Sequence, residues 1–186
     1  MKIGVTIIFT LVAFTCVAQK RSQQTFYRIG NTGSVKPLSV QYEKDTRHHG
    51  TFEVGTLIPV RRGRVNVVGA RFIVNKMSFA DTGAFSLKLF EVKDGRPTQH
   101  VIYGPFKVGI VKTGLNDIDL THYDINLFKD FFLALSWTDV PGGSKIDFGS
   151  GMHGNRSFHR VDTSGEWEKL PLMKLGFSAV VIKANQ

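Results

Sequence analysis

Two runs of seven residues, FFLALSW at 131–137 and GFSAVVI at 176–182, are apolar at odd and even positions alike. A strand points successive side chains to opposite faces, so a run of this kind needs apolar cover on both sides. Each run therefore predicts a strand at the centre of a sheet, with something packed over both faces. NDIDL at 116–120 behaves differently. It alternates, with Ile118 and Leu120 on one face and Asp117 and Asp119 on the other, as a half-exposed strand does. One sheet packed on another meets both demands. The expected fold class is all-β, an antiparallel β-sandwich of jelly-roll type.

Nothing after the first segment of the chain has a helical period. Gly and Pro instead punctuate short runs rich in Val, Ile, Phe and Leu. Strands are expected at 38–42, 50–60, 65–75, 84–92, 106–111, 116–120, 131–137, 145–148, 157–161 and 175–183, after a polar lead over 19–36. FSLKLFEVKDGRP, 85–97, reads as a strand entering a turn. Phe85, Leu87 and Leu89 share one face, Gly95 supplies positive φ, and Pro97 closes the bend. Lys93, Asp94 and Arg96 are expected to be the solvated bend of a sheet rather than a working site.

The first 18 residues carry one Lys, then an uncharged apolar run and small residues up to Ala18. This is the pattern of a secretory signal peptide, too short for a stable transmembrane span. Cleavage after Ala18 is expected; lipidation of Cys16 is disfavoured, because Thr15 and Ala13 stand where such signals place a smaller residue and a leucine. The lone Cys lies inside that segment, so stability has to come from a packed core over 37–186, long enough for one domain. The expected location is the periplasm, cell envelope or exterior.

FSLKLFEVKDGRP, DIDLTHYDINLFKDFFLALSWTD, SGEWEKLP and GFSAVVIKA, taken in that order, resemble a group of exported Gram-negative β-sandwich proteins that occur alone or behind a carboxypeptidase-regulatory-like domain. The shared positions are Val92, Asp94, Gly95 and Pro97; Asp119, Leu120, Tyr123 and Ile125; Trp137; and Gly165 and Trp167. What the resemblance implies is a fold and an envelope address. It carries no activity, and the form expected here is the one without a regulatory-like domain in front.

Charge narrows the partners. The chain holds 24 Lys and Arg against 15 Asp and Glu, a formal +9, which favours anionic polymers through long-range attraction. The basic residues are spread out, with only Arg61, Arg62 and Arg64 and the Arg47-His48-His49 group clustered. No aromatic-lined basic groove is evident, which argues against nucleic acid. His48 and His49 are adjacent, and His100, His122, His153 and His159 are scattered. None has zinc-ligand spacing, and no metal or other cofactor is expected.

Hydrolytic chemistry finds little footing. There is no G-x-S-x-G elbow and no phosphate loop. A carboxylate pair drawn from Asp117, Asp119, Asp147, Glu166 or Glu168 would be needed for glycoside cleavage. The other lead is aromatic, because an indole or phenol face stacks on the apolar face of a sugar. Trp137 and Trp167 are the first candidates for such binding, with Tyr103 and Tyr123 behind them; the competing reading has both tryptophans plugging the ends of the sandwich. The expected function is a non-enzymatic envelope binding or structural protein taking glycan or an anionic cell-surface polymer. The alternative is a surface polysaccharide hydrolase using a carboxylate pair.

Overall fold

The computed structural model describes residues 25–31, 40–41, 51–61, 63–77, 85–138, 146–152 and 154–183. Both doubly apolar runs lie in sheet interiors. The first is β9 (Phe131–Thr138), between β3 (Thr51–Ile58) and β5 (Phe85–Lys93); the second falls in β15 (Phe177–Lys183), between β1 (Phe26–Gly30) and β4 (Val65–Met77). Every residue from Phe131 to Trp137 is buried. Phe131, Leu133, Leu135 and Trp137 enter the main core, while Phe132 and Ala134 on the opposite face enter a second, smaller one. Apolar cover on both faces is what this run demanded; in β15 only Phe177, Ala179 and Val181 enter the core, while Val180 and Ile182 on the other face are half-buried.

All strand pairings among the described residues are antiparallel. One sheet has the order β13-β12-β3-β9-β5-β6, with β6 (Arg96–Lys107), β12 (Ser157–Val161) and β13 (Glu168–Lys169). The other runs β1-β15-β4-β10-β2, with β2 (Val40–Gln41) and β10 (Ile146–Phe148). The free edge of the long β4 takes β7 (Gly114–Asp119) and β8 (Ile125–Leu127). A two-stranded patch pairs β11 (Ser150–Met152) with β14 (Met173–Leu175). Consecutive strands repeatedly change sheets, as in a jelly roll, so each sheet joins distant parts of the sequence. Trp137 stacks on Phe52 at 5.8 Å within one sheet and meets Phe148 of the facing sheet, also at 5.8 Å, closing the core between them.

The strand map differs from expectation in the short strands β8, β11, β13 and β14, none of which was expected, and at two further places. Phe26–Gly30, within the stretch read as polar lead, forms β1 and pairs along its whole length with β15. The expected loop after Pro97 is instead β6, and the residues from Val108 onward leave the sheet. Pro97 and Pro105 sit in that strand because β6 is the last in its sheet, where a missing donor faces outward. The Asp94-Gly95 turn behaves as expected, both residues having positive φ, 51° and 72°. β7 also follows its alternation, with Asp117 and Asp119 exposed and Ile118 half-buried; Leu120, just past its end, is buried. His48, His49 and His153 lie outside the described residues.

Candidate functional site

The four aromatic candidates do not converge. Trp137 and Trp167 are 2% and 4% exposed, one in each core. Trp167 closes the smaller core on the outer face of β3, β9 and β5. It meets Phe132 at 4.7 Å and Phe90 at 5.3 Å edge-on, and its Nε1 donates to the Thr98 carbonyl at 3.0 Å. Tyr103 is half-buried, its hydroxyl 3.4 Å from the Asn126 carbonyl that accepts from it. Tyr123 has the most open ring, 49% exposed, and leans on Phe106 at 4.3 Å.

Beside Trp167 lies an ion group that sequence reading missed. Glu53 is fully buried in β3. Its Oε1 accepts from Lys88 Nζ at 2.6 Å, and its Oε2 from Arg160 Nε at 2.6 Å and Nη2 at 2.5 Å. The Arg160 guanidinium also donates to Gln99 and lies 4.3 Å over the Trp167 ring. A buried carboxylate is tolerable only when its oxygens are this fully bonded, and the indole face adds attraction for the cation. The only sequence signal was the register: Glu53 and Arg160 are direct cross-strand partners. Arg96 belongs to the same support, its Nη2 donating to the Trp167 carbonyl at 3.2 Å. The bend at Lys93 and Asp94 is exposed as expected, but Arg96 also holds the segment carrying Trp167.

The carboxylates considered for hydrolysis are dispersed. Asp117 and Asp119 on β7 and Asp147 on β10 flank opposite edges of β4, while Glu168 on β13 belongs to the other sheet and Glu166 lies in the segment just before β13. Asp117 pairs with Arg71. Asp119 accepts from the Thr121 hydroxyl and N–H at 2.7 and 2.9 Å, which holds its carboxyl below the usual range. His159, near Glu168 at 3.6 Å, has its pKa lowered by burial, against the opposing pull of that carboxylate. No group of three or more His, Cys, Asp or Glu converges on a metal position among the described residues.

What the fold does bring together is positive charge. A cleft of about 460 Å³ is lined by Arg28 on β1, Arg61 after β3, Arg156 before β12 and Lys174 on β14, together with Asn31 and Asn155; among the described residues, no carboxylate and no aromatic side chain lines it. Its walls are pinned by backbone contacts. Asn31 Nδ2 donates to the Lys174 and Leu175 carbonyls at 3.2 and 3.0 Å, and the Arg156 carbonyl accepts from Leu57 N at 2.8 Å and Thr56 Oγ1 at 3.1 Å. Gly30, at φ +111°, and Gly154 let the walls approach: a Cβ on Gly154 would lie 2.3 Å from Lys174 Cβ and 2.5 Å from the Met173 carbonyl.

The arginines divide sharply. Arg64, Arg71, Arg96 and Arg160 each hold a polar partner. Arg28, Arg61 and Arg156 are exposed without a side-chain hydrogen bond or ion pair among the described residues, and all three line the cleft. Three arginines lining one cleft, with no carboxylate among the described residues that line it, favour an anion there.

No family model matches the chain, and no curated protein does. Among solved structures it is similar to the cysteine protease and lectin-like domains of Cwp84, a surface layer associated protein of Clostridium difficile, at 9% identity and a TM-score of 0.56, over 73% of this chain and 33% of that one. It is also similar to the clostridial cysteine protease Cwp84 after propeptide cleavage, at 8% identity and a TM-score of 0.60, over 88% and 41%. The chain thus spans well under half the length of these structures. At such identity the likeness shows an all-β fold. No helix among the described residues is long and apolar enough to cross a membrane.

Proposed function

We propose that the protein is a non-enzymatic binding module that holds an anionic glycan or cell-surface polymer in the cleft of Arg28, Arg61, Arg156 and Lys174. The observation that carries this reading is that every described arginine left without a polar partner lines one concave surface, with no carboxylate among its described lining residues. Export to the envelope or cell surface accords with it, as does the likeness in fold to a surface layer associated protein with lectin-like domains. Charge rather than aromatic stacking is the recognition mode, since Trp137 and Trp167 present almost no surface and Tyr123 is not among the residues that line the cleft. The dispersed carboxylates give the hydrolase alternative no comparable support.

The test is electrophoresis through native gels holding either an anionic polysaccharide or neutral dextran. The anionic gel should retard the protein and the neutral gel should not, and Arg28→Ala with Arg156→Ala should abolish most of the retardation while the melting temperature holds. Equal retardation of parent and double variant would remove the cleft from the site.

A further inference from the structure

Resting on that reading, we infer that the cleft selects sulfate or phosphate ester groups over carboxylates, so that its ligand is a glycan esterified with tetrahedral oxyanions rather than a uronate chain. The ground is that the cations lining the cleft belong to separate elements of the fold. Arg28 belongs to one sheet, Arg61 and Arg156 flank strands of the other, and Lys174 lies on the two-stranded patch. A carboxylate has two oxygens whose four lone-pair sites lie in one plane, so it can take a fork and a further donor in that plane, as Glu53 does. Forks arriving from outside that plane find no lone pair turned toward them. A sulfate or phosphate ester carries three terminal oxygens spread in three directions, each a strong acceptor, and can take several forks at once.

Charge density points the same way. A cleft of about 460 Å³ lies in the lower half of the range for small-ligand sites and holds a short stretch of chain. A uronate polymer brings a single charge on each sugar, which leaves part of the cleft's cationic excess unmatched. Multiply esterified sugars bring more charge in the same length. With no aromatic residue among the described residues of the lining, a neutral sugar face finds none of them to stack on.

Calorimetric titration of the full chain with dextran sulfate, phosphorylated dextran, polygalacturonate and unmodified dextran, at one ionic strength, tests this. At least one ester-bearing dextran should bind about tenfold or more tighter than polygalacturonate, and the two ester arms show whether sulfate or phosphate is preferred. Arg28→Lys with Arg156→Lys keeps the charge but removes two forks, and should erase most of that preference while polygalacturonate binding changes little. If polygalacturonate binds as tightly as the esters, and Arg28→Ala with Arg156→Ala removes both, ester selection is overturned while the anionic-glycan reading stands. If no anionic chain binds, that reading falls as well. An ester preference that survives the lysine variants would also overturn the inference, because forked recognition would not be its source.

Discussion

Trp167 shows how a side chain suited to ligand stacking becomes structural. Its ring is enclosed by Phe90, Phe132 and Arg160, its Nε1 is bonded to Thr98, and its own carbonyl is held by Arg96. Truncation leaves a cavity and strips the guanidinium of its aromatic face. Trp167→Ala should therefore lose about 3–5 kcal/mol in chemical denaturation, as large aromatic truncations in cores do. Anion binding by the fraction still folded should persist. A variant of parental stability that no longer binds glycan would return Trp167 to the site and displace the cleft. The neighbouring Glu53 is the harder residue to anticipate, because a charged residue in a strand reads as solvent-facing until a cation from a distant strand is placed beside it.

At the scale of elements, the cleft depends on how closely the segment before β12 runs to β14. Gly154 permits that approach, since the nearest atoms to an added Cβ are backbone and the root of Lys174, neither of which can swing away. Gly154→Ala should move Arg156 and Lys174 apart, weaken anion binding several-fold and lower the melting temperature. Gly109→Ala, where an added methyl meets nothing within 4 Å, should leave both unchanged. Titration with an anionic polysaccharide and a thermal melt on each variant compare the two. Equal binding by both variants would mean that the close approach does not shape the cleft.

For the whole molecule, the cleft and the buried ion group answer differently to salt. The cleft's cations are exposed, so added electrolyte screens them. Glu53 and Arg160 are enclosed by protein and far less screened. Raising sodium chloride from about 0.05 M to about 0.5 M should weaken anionic-glycan binding by an order of magnitude or more, with little change in melting temperature. Calorimetry and thermal melts on the same samples provide the check. Salt-independent binding would locate the ligand on an apolar surface elsewhere.

Local pattern in the chain was enough for the central strands, the half-exposed β7 and the Asp94-Gly95 turn. Burial on two faces, alternation and positive φ each leave a mark within a few residues. The edge strands left weaker marks. FYRIG at Phe26–Gly30 has no decisive alternation and is a strand because β15 lies beside it, and β6 keeps its prolines because no described strand pairs with its outer side. The candidate site was the least legible. Arg28, Arg61, Arg156 and Lys174 are far apart in sequence and sit in no shared motif. Only the winding of the chain between sheets brings them to one cleft, while other arginines are drawn off by partners such as Glu53 and Asp117. Net positive charge was a property of composition; which cations remain available to a ligand was decided by tertiary pairing, because an ion pair depends on distance in space and not along the chain.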